Sequence, residues 1–167
     1  RGVPGPPGLA TDNAAALQSA VDGKRLTRIT HALIQSVLSQ AGETSAVPSV
    51  RPILTDAVTP KGELCLIGEH AQPRVFRLLA HWGMDLTPVL REISRAARMA
   101  GYDVEEHLCP TVPGRLLHLT IPALGTLITS GDALPSEQTF DFSSCIPQGA
   151  LLRHECALEQ GRAGIRL

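Results

Sequence analysis

The eight residues from Gly68 to Val75, Gly-Glu69-His70-Ala71-Gln72-Pro73-Arg74-Val, stand where a phosphate-binding loop would stand. They follow a short apolar run, Leu64 to Ile67. Behind them Val75, Leu78, Leu79 and Trp82 are spaced as on one face of a helix starting at about Pro73. Strand, loop and helix in that order grip phosphate in many α/β proteins, because the backbone N–H groups of the loop and helix start point at the anion. Set against Gly-x-x-x-x-Gly-Lys-Ser/Thr, Gly68 keeps the first glycine, while Pro73, Arg74 and Val75 replace the second glycine, the lysine and the hydroxyl residue. Pro73 removes a donor and Ala71 disfavours positive φ. Arg74 retains a positive charge on a longer, planar fork. Val75 offers no hydroxyl to Mg²⁺. An ordinary polar connection is the competing reading of the same residues.

Other groupings are thinner. His107-Leu-Cys109 sets two metal-type donors on one strand face, and His154-Glu-Cys156 repeats the spacing. Two ligands do not make a site, and joining the pairs requires the C-terminal segment to lie beside that strand. Glu105 and Glu106 alternate faces, so one is expected to meet solvent. Arg91, Arg95 and Arg98 read as a solvated helix face. His31 reads as a surface or core-edge histidine. No Ser-His-Asp or Cys-His nucleophile motif is visible, and no residue is assigned a catalytic role. Cys65, Cys109, Cys145 and Cys156 contain no C-x-x-C pair, which argues against a zinc ribbon. They are expected to be reduced thiols, with Cys65 and Cys109 buried in strands.

The elements that must position these groups can be read from periodicity and punctuation. Residues 1–10 carry glycines and prolines at too few triplets for a collagen helix and read as a flexible end. Asp12 or Asn13 caps a short helix to Val21. Lys24 to Gln40 places Leu26, Ile29, Leu33, Ile34, Val37 and Leu38 on one face of a stronger helix. Arg51 to Val58 and Leu64 to Ile67 read as an antiparallel pair about the Thr59-Pro-Lys-Gly62 turn. Thr87 and Pro88 open a helix that Gly101 closes. Strands are expected at about 104–109, 116–121 and 126–130, then an irregular stretch to Gly149 anchored by Phe140 and Phe142, then a helix from Ala150. This rhythm predicts an α/β layer with a partly parallel sheet flanked by helices.

The bulk numbers exclude some classes. With 167 residues the chain can bury one domain's core, and 43% hydrophobic with 19% charged residues suits a globular protein. Its net charge of -1 gives no global attraction to nucleic acid or acidic membranes. Aromatics are 3%, so the core must be aliphatic. No apolar run reaches membrane-span length and no signal-peptide pattern is present, so a cytoplasmic setting is expected. The start at Arg1 reads as part of a longer protein.

Three pieces together carry a resemblance: Thr59-Pro-Lys-Gly62, Gly101-Tyr-Asp-Val-Glu105 with Cys109, and Ile121-Pro-Ala-Leu-Gly125. In this order the chain resembles, over roughly Arg51 to Pro135, a bacterial family of tandem P-loop ATPase-like, or nucleotide kinase-like, proteins. The resemblance implies a second NTPase domain over 51–167, cut short at its C-terminus, and an N-terminal connector helix within 1–50. It implies ATP or GTP with Mg²⁺ as ligand, bound by Gly68 to Val75, and a sister NTPase domain, in the same chain or a homodimer, as partner. The family's acidic residue after the last strand is Ser130 here, with Asp132 two residues on; these are the metal candidates. The turn glutamate is Ala123, and the aspartates after the cysteine are absent from Pro110 to Arg115. The expectation is therefore a degenerate domain with weak or lost nucleotide binding and a scaffold or regulatory role. An active ATPase or kinase with a variant loop is the alternative, and a small-molecule module without NTPase ancestry a third.

Overall fold

The computed structural model describes residues 15–44, 47–81, 83–131 and 134–153. Trp82, Asp132, His154 and Cys156 lie outside them, as does most of the predicted C-terminal helix.

Helix α1 (Gly23–Val37) begins where Asp22 accepts the N–H groups of Lys24 and Arg25, an N-cap that satisfies two otherwise orphaned donors. Strands follow as β1 (Val50–Ile53), β2 (Asp56–Thr59), β3 (Gly62–Cys65) and β4 (Arg74–Leu79), then α2 (Thr87–Met99), β5 (Val104–Leu108), β6 (Leu116–Ile121), β7 (Thr126–Thr129) and β8 (Gln138–Asp141). Six strands form one sheet in the order β1-β5-β6-β7-β4-β8, and β2 and β3 form a separate hairpin. Within the six-stranded sheet only the pairings of β6 are antiparallel, so β1, β5, β7, β4 and β8 run in one direction and β6 against them. The fold is α/β with a mostly parallel sheet flanked by helices.

The two faces of the sheet differ. Phe76, Leu78, Val104, Leu119, Ile121 and Ile128 join Leu33, Val37, Leu90 and Ile93 of the helices in one apolar core. The alternate residues face the other way, and there the sheet buries Glu105, His107, His118, Thr120 and Thr129. Val75 and Leu127 add a small apolar cluster on that side with Ile67. Ordered tertiary contact joins the β2–β3 hairpin to this polar face: the ring of His107 meets Thr55 Oγ1 at 3.3 Å through Nδ1.

Several expectations are corrected. The segment predicted as a helix from about Pro73 is strand β4. It lies between β7 and β8, with Phe76 and Leu78 packed on one face and Val75 on the other. A strand buried on both faces loses the period of two that would have marked it. The predicted strand Leu64 to Ile67 runs instead over Gly62–Cys65, and Ile67–His70 is a 3₁₀ turn. Arg51 to Val58 is not one strand. It breaks at Leu54 and Thr55, giving β1 to the main sheet and β2 to the hairpin. Pro52 is tolerated because β1 is an edge strand. β8 falls inside the stretch read as irregular. Cys65 is exposed rather than buried, Cys109 half-buried and Cys145 buried.

Candidate functional site

In open parallel sheets, ligands bind outside the carboxyl ends of the strands. Gly68 to Val75 lies at the other edge, feeding into the amino end of β4. Arg74, the expected phosphate clamp, is turned onto helix α1: its guanidinium donates to Ser36 O at 2.9 Å and Val37 O at 3.3 Å, pairs with Glu137 at 3.4 Å, and sits 5.0 Å above the Phe76 ring. A cation on the orphan carbonyls of a helix C-terminus is a fastening between helix and sheet.

The strand–loop–helix unit at the carboxyl edge is one element later: β4, residues 80–86, and α2. The frame Gly-x-x-x-x-Gly-Lys-Ser/Thr ends at the helix start, so here Ala80, Asp85 and Leu86 hold the two glycine positions and the lysine position. Thr87 keeps the hydroxyl, which accepts the Leu116 N–H at 3.0 Å. Gly83 takes φ of +88°, which bends the loop back. Thr87 N–H donates to the Asp85 carboxylate at 2.9 Å. Arg115 lies 3.9 Å from the same carboxylate. A cavity of about 470 Å³ opens beside the loop, walled by His81, Met84, Leu86, Arg115, Leu117 and Ser130. His81 Nδ1 is buried there with no hydrogen-bond partner among the described residues.

The second constellation is on the polar face. His107 and His118 are register partners on β5 and β6, with ring centroids 6.1 Å apart. His107 is fully buried, and its Nε2 meets Thr120 Oγ1 at 2.9 Å. Burial, with His118 and His70 adding positive repulsion, lowers its pKa to about 4 against the opposing pull of Glu105 and Asp56. Burial also lowers the pKa of His118, opposed by Asp56. His118 Nδ1 is held by Thr129 Oγ1 at 2.8 Å, while Nε2 lies 3.7 Å from Asp56 Oδ2. His118 Nε2 and Asp56 Oδ1 are buried with no hydrogen-bond partner among the described residues. Asp56 and Cys65 are directly opposed in the hairpin, so their side chains rise on the same face. A cavity of about 400 Å³ runs past Asp56, Cys65, Cys109, Arg115, His118 and Ser130. Burial pushes the Cys65 thiol up, helped by Asp56. At Cys109 burial also pushes upward, but the Thr111 hydroxyl, the Thr111 and Val112 backbone and Arg115 bring it below the usual thiol range.

The remaining candidates are accounted for. Glu105 pairs with Arg51 of β1, and Glu106 accepts Ser94 Oγ at 2.8 Å, so neither carboxylate stands free in solvent as one was expected to. Ser130 donates to Leu117 O at 3.4 Å and lies on the walls of both cavities. His31 is exposed, at a groove between the two helices. Asp56, Cys65 and His118 had no motif to reveal them; they are far apart in sequence, and only the hairpin's fold over the sheet joins them. Among the described residues no helix is long and apolar enough to cross a membrane. No family model, curated protein or solved structure matches the chain.

Proposed function

We propose that this chain is a degenerate P-loop NTPase-like domain that no longer grips nucleotide and serves as a scaffold or regulatory partner of a sister NTPase domain, in the same chain or as a homodimer. One observation carries the reading. At the carboxyl edge of a mostly parallel sheet, the N–H of Thr87 at the start of α2 is taken by the chain's own Asp85 carboxylate. An anion already bound to a helix start repels a phosphate arriving there and takes up the donor it would use. Two further facts support it. Leu86 brings no charge where the clamping lysine would stand, and Arg115, the nearby cation, already faces Asp85. The partner role draws on the hairpin segment, where Leu54, Val58, Leu64 and Leu66 are exposed apolar side chains available to a partner. The thiols of Cys65, Cys109 and Cys145 are free, which suits a reducing, cytoplasmic setting.

The test is calorimetry of ATP and GTP, with and without Mg²⁺, on the wild-type chain. No heat of binding is expected at millimolar nucleotide. Micromolar, Mg²⁺-dependent binding, or nucleotide turnover, overturns the reading in favour of an active enzyme with a variant loop.

A further inference from the structure

We propose that Asp56, Cys65 and His118 bind a divalent transition-metal ion of the zinc class, at the polar face of the sheet under the β2–β3 hairpin.

The geometry begins with the hairpin. Asp56 and Cys65 are cross-strand partners on β2 and β3, and the hairpin lays them over β6 so that one donor atom from each, together with a ring nitrogen of His118, falls within 4.8 Å of the others. Zinc bonds of about 2.0 to 2.3 Å set tetrahedral neighbours roughly 3.5 Å apart. Closing the difference takes about an ångström, and Cys65, the exposed member of the three, has room for that shift.

A second observation points to a ligand. His118 is 4% exposed, yet its Nε2 has no hydrogen-bond partner among the described residues, and the neighbouring Asp56 Oδ1 is equally unpaired. Buried polar atoms in native proteins are almost always satisfied, and a bound ion is one recognised way of satisfying them. The other nitrogen of His118 is fixed by Thr129 Oγ1 at 2.8 Å. That is the arrangement of a ligating histidine: the outer partner sets the tautomer and aims the free nitrogen at the metal.

The donor set selects the metal. One thiolate, one imidazole and one carboxylate suit zinc or a close relative, whereas Mg²⁺ and Ca²⁺ prefer oxygen throughout. Three protein ligands leave a fourth position for water or a small ligand, and the cavity of about 400 Å³ beside the cluster supplies the room. Cys109 stands on the same wall.

The experiment is a Co²⁺ titration of the full, reduced chain followed by visible absorption, with Zn²⁺ competition. One equivalent is expected to bind, with a thiolate-to-cobalt charge-transfer band and the strong d–d absorption of four-coordinate cobalt, displaced by Zn²⁺. Cys65→Ser should weaken binding more than about tenfold, and Thr129→Val by about 10- to 100-fold through the outer partner. His118→Gln alters a buried position, so the exposed Cys65→Ser decides the matter should that variant misfold. Absence of cobalt binding by the folded wild type overturns the proposal. So does binding of unchanged affinity in Cys65→Ser.

Discussion

The Asp85 carboxylate accepts the N–H of Thr87, two residues on, at 2.9 Å. This bond takes up the N–H of the first residue of helix α2. Asp85→Gly should therefore act in two directions. It should cost about 1 kcal/mol of stability through the lost turn bond and the freer unfolded chain, and on the proposed reading it should raise affinity for pyrophosphate or ATP from undetectable to measurable by freeing the helix start and Arg115. Urea unfolding and calorimetry on the same variant read the two effects separately.

Arg74 joins the C-terminus of α1 to the sheet through Ser36 O and Val37 O. Arg74→Ala should destabilise the chain by about 2 kcal/mol, since several charge-assisted bonds end there. Any residual nucleotide affinity should be unchanged. A selective loss of nucleotide binding with stability intact would instead make Arg74 a phosphate clamp.

His107 makes stability depend on pH. Its folded pKa of about 4 lies below the ordinary 6.5, so the unfolded chain takes up the proton first. The stabilisation is complete above about pH 6.5 and is lost as pH falls toward 4. The slope approaches ~1.4 kcal/mol per pH unit. Around the ring stand His70, His118, Glu105 and Asp56, and their response moderates the total to about 2 kcal/mol. In chelator-treated protein, the stability difference between pH 7.5 and 4.5 should shrink in His107→Asn relative to wild type. An identical difference in both would remove His107 as the source.

Gly101 ends α2 with φ of +88°, and a Cβ there would come within 2.4 Å of Thr44 Cγ2. Gly101→Ala should cost at least about 1 to 2 kcal/mol, because the conformation is strained for an L side chain and the contact adds to it. The double variant with Thr44→Ser should recover the steric part alone. Thermal denaturation of both, expected to differ by a few degrees, measures the split.

Some of this protein was settled by sequence alone. Helices α1 and α2 were legible because one face is apolar and the other polar, and because Pro88 and Gly101 punctuate α2; those signals act within a few residues of chain. The strand-like runs of β5, β6 and β7 and the α/β class followed from local apolar patterning. What tertiary structure decided lies beyond that range. β4 is a strand because β7 and β8 flank it and both its faces are covered, which erases the alternation a strand normally displays. For the same reason residues 68–75 lead into a strand, and the loop that joins strand to helix at the carboxyl edge is 80–86. Arg74 reads as a ligand-binding cation until the end of α1 arrives beside it. Asp56, Cys65 and His118 belong to three different strands, and their donors meet only because the hairpin folds over a polar sheet face, a long-range packing event that no local pattern of residues encodes.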